Sequence, residues 1–134
     1  MRNKDIPDFA RRILREHGIN TVPCNPLSLA RSEGIKVIKD SDVRTLMPGE
    51  HGRLMQQDNV CAIIYSDSET PAQKSFTVAH ELGHYFLKHS EELARFERYI
   101  ELQRRRHSHH VERQADIFAK HLLNSNFDNG EFNL

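Results

Sequence analysis

Phe76-Thr77-Val78-Ala79-His80-Glu81-Leu82-Gly83-His84-Tyr85 is the most informative stretch of this 134-residue chain. Phe76, Ala79, Leu82, Gly83 and Phe86 recur with helical spacing, and Thr70-Pro71 upstream has the chemistry of an N-cap followed by a first helical residue. The reading is a helix from about Pro71 to Lys88. Within it, His80-Glu81-x-x-His84 sets two imidazoles four residues apart, about 40° apart in azimuth and ~6 Å along the axis. Both rings can reach one ion from a single turn, and Glu81 projects beside them, placed to take a proton from a water held there. The ligand type points to Zn²⁺ with one open tetrahedral position. The competing reading is a helix with two surface histidines, but the apolar Leu82 and small Gly83 between them suit a buried helix.

An open tetrahedral zinc site needs a third protein donor. Downstream, Glu112-Arg113-Gln114-Ala115-Asp116 places two carboxylates at i, i+4 on one face of a helix read from about His109 to Leu123. Its apolar stripe is Val111, Ala115, Phe118, Ala119, Leu122 and Leu123. Glu112 is the candidate third ligand, and Asp116 the acceptor for the free ring N–H of a metal-bound histidine. The alternative is a solvated face, but Asp116 lies beside the apolar stripe, where a carboxylate needs a partner. For stabilising an oxyanion, His109 and His110 stand one turn or less from Glu112, and Tyr65, Tyr85 and Tyr99 are rival donors; the residues alone do not choose among them. The run Arg104-Arg105-Arg106-His107-Ser108-His109-His110 reads either as a dock for an acidic partner or as a solvated approach to the helix. From Ser90 to Arg106 the charged text fits a helix or an irregular connection equally.

Upstream, Ile6, Phe9, Ala10, Ile13 and Leu14 form one helical stripe that Gly18 closes. Asn25-Pro26 opens a short helix through Leu27, Leu29 and Ala30, and Gly34 ends it. The period then shortens: Ile35, Val37 and Ile38 read as a strand, Leu54 and Met55 as a second, and Val60 to Tyr65 as a third after the turn Gln57-Asp58-Asn59. The polar stretch between, with Pro48-Gly49, is a loop that admits a short strand near Val43 to Leu46. The fold expected is α+β: N-terminal helices, a small, mostly antiparallel sheet, and the histidine helix packed on a C-terminal ligand helix. A single domain covers 1–123, with a polar tail over 124–134.

Lys and Arg number 19 and Asp and Glu 19, a formal net charge of zero, which disfavours a general nucleic-acid binder. No apolar run approaches the ~20 residues of a membrane span, and the first residues lack the apolar core of a signal peptide. Cys24 and Cys61 stand far apart, in no metal or redox spacing, and read as free thiols in a cytoplasmic protein. Of the other histidines, His17 falls in the last turn of the first helix, and His89 and His121 read as surface residues.

Taken together, Phe76 to Tyr85 and Glu112-Arg113-Gln114-Ala115-Asp116-Ile117-Phe118-Ala119 resemble the ImmA/IrrE family of zinc metallopeptidases. The first helix, Pro23, the Leu27/Ala30 helix, Gly34-Ile35, Gly52-Arg53-Leu54 and the Val60 to Tyr65 strand are similar to the family's opening and small sheet. The resemblance implies zinc ligands His80, His84 and Glu112, Glu81 as general base, and Asp116 behind a ligand histidine. It also implies an intracellular endopeptidase whose substrate is a helix-turn-helix repressor of a phage or mobile element. The chain departs from the family where Leu122-Leu123 leads into Asn124-Ser125-Asn126 rather than Leu-Leu-Met-Pro. Two other readings compete. A zinc-containing binding module would sequester its partner without shortening it, but would have no need of Glu81. A structural metal site would want a fourth closed ligand.

Overall fold

A computed structural model describes residues 1–20, 24–87 and 104–123, the last from residue 109 on with its side chains. Among these residues the elements run α1 (Ile6–Glu16), α2 (Pro26–Ser32), β1 (Lys36–Lys39), α3 (Asp40–Val43), β2 (Gly52–Gln57), β3 (Val60–Tyr65), α4 (Pro71–Phe86) and α5 (Arg104–Leu123), with a 3-10 turn at Asn3–Asp5. The architecture is the α+β one expected.

Local chemistry sets most boundaries. In α1 the stripe Ile6, Ala10, Ile13 and Leu14 is buried, and Gly18 follows in the left-handed region at φ 69°. Asn25 Oδ1 accepts from Leu27 N at 3.0 Å, capping α2. Thr70 and Gln73 form a reciprocal capping box at the start of α4, with Gln73 N donating to Thr70 Oγ1 and Thr70 N to Gln73 Oε1. Asp58 and Asn59 both take positive φ, 50° and 66°, which suits the tight turn between β2 and β3.

The sheet order is β1-β3-β2. β2 and β3 pair antiparallel, Gly52 opposite Tyr65 and Gln57 opposite Val60. β1 joins the far side of β3 in parallel, Lys36 opposite Ala62, so the sheet is mixed. No strand forms over 43–46. Asp40 instead starts a single helical turn, Arg44 turns left-handed at φ 54°, and Asp40 Oδ1 accepts from the backbone N–H of Thr45 (2.8 Å) and Leu46 (2.9 Å). A side chain that satisfies those donors removes the incentive for a strand ladder.

α4 is the central element, touching β2, β3, α2 and α5. One core joins Ile6, Ala10 and Leu14 to Leu29, Ile63, Val78, Leu82, Phe118 and Leu122. Phe118 is packed between Phe9 and Phe86, with ring centroids 6.2 and 5.8 Å away. Cys24 is buried in this core and Cys61 half-buried, both as free thiols. α5 begins at Arg104, five residues before the helix read from sequence, so the arginine run is helical. His89, Tyr99 and the tail beyond Leu123 lie outside the described residues.

Candidate metal centre

Two helices cross where the histidines lie, and their separation is set by Gly83. A Cβ there would stand 2.9 Å from the Ala115 Cα and 3.0 Å from its carbonyl oxygen. That approach brings the α5 face carrying Glu112 and Asp116 against the α4 face carrying His80 and His84. His80 Nε2 lies 2.7 Å from Glu112 Oε2, His84 Nε2 3.0 Å from Glu112 Oε1, and the two Nε2 atoms are 3.1 Å apart. His80 Nδ1 lies 2.7 Å from Asp116 Oδ1.

The contact with Asp116 orients the His80 ring. An ionised carboxylate only accepts, so His80 Nδ1 carries a proton and donates it to Asp116. When a metal ion takes the place of the second ring proton, Nε2 presents a lone pair. It faces the Nε2 of His84 and Glu112 Oε2, while His84 Nε2 faces Glu112 Oε1, so donor atoms converge on one point. Such a set is stable only around positive charge. Around a tetrahedral zinc with bonds of about 2.0–2.1 Å, neighbouring donors lie about 3.3 Å apart. The observed separations are slightly shorter and of the same shape, so the donor set fits a metal ion. Ligand atoms of His80, Glu81 and His84 all fall within 4.8 Å of one another.

Electrostatics tell the same story. Burial opposes a charged His80 ring, but the bonds to Asp116 and Glu112 and the charge of Glu81 outweigh it and hold its pKa up to about 10. Burial pushes the Glu112 carboxyl the other way, yet the two histidines win and keep it well below the usual carboxylate range. Glu81 is buried, and loss of hydration raises its pKa above the ordinary value against the pull of His80 and His84. The site thus attracts cations and keeps beside them a carboxyl with raised proton affinity.

A cleft of about 600 Å³ opens over these residues. Its walls include Gly52, Arg53 and Leu54 of β2, Phe76 and Thr77 of α4, and Glu50, His51 and Glu69 from loops. Gly52 permits this closeness: a Cβ there would collide with Thr77 Cγ2 and stand 3.0 Å from the Ile64 carbonyl oxygen and 3.8 Å from Glu81 Cγ. The guanidinium of Arg53 is held by Glu50 through donors at 2.9 and 2.6 Å.

The other sequence candidates stand apart from the cleft. Tyr85 does not line the cleft and donates to Glu33 Oε1 at 2.9 Å. Its neighbour His84 enters the site, and adjacent helical residues point about 100° apart. His109 and His110 are exposed and do not line the cleft. Tyr65 lies under the Lys74 ammonium, 4.5 Å from the ring centroid. Conversely, the reading from sequence gave no role to Glu69, Thr77 or His51. Thr77 was within reach, since it stands four residues before Glu81 on the same face. Nothing local to Glu69 signals that it folds back into the cleft.

A helix-borne His-Glu-His group over an open cleft, faced by carboxylates from a second helix, defines a metallopeptidase-type centre. The IrrE N-terminal-like domain matches residues 30–126, well over half of the chain. The chain belongs to this peptidase family, the ImmA/IrrE family. No curated protein matches it closely enough to add a relative. Among the described residues, no helix is long and apolar enough to cross a membrane.

Proposed function

We propose that the chain is a zinc-dependent endopeptidase acting in the cytoplasm on one specific protein, a helix-turn-helix repressor of a phage or mobile element. The observation that carries the zinc reading is the convergence of His80 Nε2, His84 Nε2 and the Glu112 carboxylate on one point, with Glu81 beside them. The family resemblance supports the repressor as substrate, and the balanced charge of the chain suits a protein that meets the repressor rather than its DNA.

Bound there, zinc would polarise the scissile carbonyl and lower the pKa of its water toward ~7. The residues of the chain do the rest. Asp116 holds the His80 ring in one tautomer and orientation. Glu81 takes the proton of the attacking water and passes it to the leaving amine, a task for which its raised proton affinity fits it. Among the described residues β2 is an edge strand, and it lines the cleft with Glu81, so an extended peptide can add to its outer edge and be held by main-chain hydrogen bonds.

The test is elemental analysis of the purified protein beside His80→Ala and Glu112→Ala, with Glu81→Gln assayed on the candidate repressor. Near one zinc per chain, lost in both alanine variants, is expected, and Glu81→Gln should keep the metal and leave the repressor intact. Zinc indifferent to Glu112→Ala would overturn the ligand set, and cleavage by Glu81→Gln at the wild-type rate would overturn the mechanism. A repressor bound but not shortened by the wild-type chain would mark a sequestering module instead.

A further inference from the structure

Glu69 is the cleft residue whose chemistry the reaction leaves unused. Its side chain is only 3% exposed, yet it lines the same cleft as His80, Glu81 and Glu112. One oxygen accepts from the Thr77 hydroxyl. The other has its nearest cation candidate, His51 Nδ1, at 3.8 Å, beyond hydrogen-bond distance, on a ring 79% exposed. A carboxylate offers about four acceptor sites, and a nearly buried one left without a cation is costly.

Two structural explanations for Glu69 fall short. Helix capping is supplied by Thr70 and Gln73, and Glu69 reaches past them to Thr77, more than a turn into α4. Charge balance in the wall is also taken up elsewhere, since Arg53 is engaged by Glu50 and the histidines by Glu112 and Asp116. Outside the proposed base and donor set, Glu69 is therefore the wall carboxylate, among the described residues, with no cation within hydrogen-bond distance.

We infer that Glu69 determines specificity by receiving a lysine or arginine of the bound peptide within two residues of the scissile bond. The inference rests on the endopeptidase reading for the word scissile, but not for the pocket. A Cβ at Gly52 would meet both Thr77 and Glu81, which stand one helical turn apart, and Thr77 carries the bond to Glu69, so a peptide passing β2 at Gly52 meets Glu81 and Glu69 about a turn apart. Phe76 and Leu54 line the way and can cover the aliphatic stem of a basic side chain, leaving its cationic head to Glu69.

A positional-scanning decapeptide library decides it, with zinc supplied. Binding is measured to the Glu81→Gln chain and cleavage by the wild-type chain. Peptides with lysine or arginine at one position should bind about tenfold or more tighter than those with norleucine there. Glu69→Gln, introduced beside Glu81→Gln, should collapse that ratio toward one, and Glu69→Lys should invert it in favour of glutamate peptides. A merely structural Glu69 would move all peptides together and leave the ratio intact, which overturns the assignment. So would equal binding of lysine, norleucine and glutamate peptides, or no binding by any. If binding keeps the basic preference but the wild-type chain cuts nothing, the hydrolytic reading fails and the role of Glu69 stands.

Discussion

Asp116 touches no reacting atom in the proposed reaction, yet the site depends on it. Its Oδ1 lies 2.7 Å from His80 Nδ1, which leaves Nε2 to face the proposed metal position. Asp116→Asn can present an N–H where an acceptor is needed, so metal affinity should fall 10–100-fold, as competition with a chromophoric chelator would show. An unchanged affinity would mean the ring needs no such support. Glu81 carries a different burden. Its loss should cost about 10²–10⁴ in turnover while leaving zinc content at the wild-type level, so activity and metal content separate the two residues.

Between elements, the crossing of α4 and α5 is the sensitive joint. Gly83→Ala would drive a Cβ into the Ala115 backbone, which cannot swing aside as a side chain can. The helices must part by a few tenths of an ångström, a change expected to cost about 1–3 kcal/mol of stability and to loosen the metal with it, read by chemical denaturation and by zinc titration. A second joint ties α1 to α2. His17 Nε2 and Glu33 Oε2 lie 2.7 Å apart, and Glu33 also accepts from Tyr85. The bond to Glu33 raises the His17 pKa above 6.5, with help from the Ile13 carbonyl and against partial burial. The bond to His17 lowers that of Glu33 below 4.5, against its own desolvation. A raised histidine contributes stability that is full below 6.5 and fades as pH rises through its folded value. A lowered carboxylate contributes stability that is full above 4.5 and fades as pH falls through its folded value. The stability difference between wild type and Glu33→Gln should therefore peak between about pH 5 and 6 and shrink on either side, as denaturant titrations at several pH values would record. A difference flat with pH would mean the pair is not charged.

Elements also differ in how far the sequence reveals them. The stripe of α1, the Asn25 and Thr70 caps and the histidine spacing are local, and local patterns survive folding. The partner of β1 is not local: Ile35 to Ile38 reads as a strand whichever neighbour it takes, and the parallel pairing with β3 follows from where the β2–β3 turn lies in space. Asp40 defeats a strand at 43–46 through a side-chain bond that period-two counting cannot see. Tyr85 is absent from the cleft because it follows His84 by one residue, and Glu69 enters it through a loop whose course no periodicity encodes.

On the scale of the whole molecule, metal and fold reinforce one another. α4 reaches the sheet and α2 on its other sides, so an ion gripped by α4 and α5, as proposed, would clamp the core. Binding to the native state alone would add about 4 kcal/mol when free metal stands a thousandfold above Kd. Removing it with a chelator should lower Tm by ~10 °C or more, read by calorimetry with and without added zinc. A Tm indifferent to chelator would place the ion outside the load path between the helices.

The order of these parts along the chain has a consequence for synthesis. The two histidines and Glu81 emerge on α4, but Glu112 and Asp116 wait on α5, the last described element. Chains are made from the amino end, and their early parts fold as they appear. Until α5 docks, the imidazoles lack the proposed third donor, and His80 lacks the carboxylate at its Nδ1. A ribosome that stalls before α5 therefore releases a product without cutting power, and the cell is spared a half-made protease.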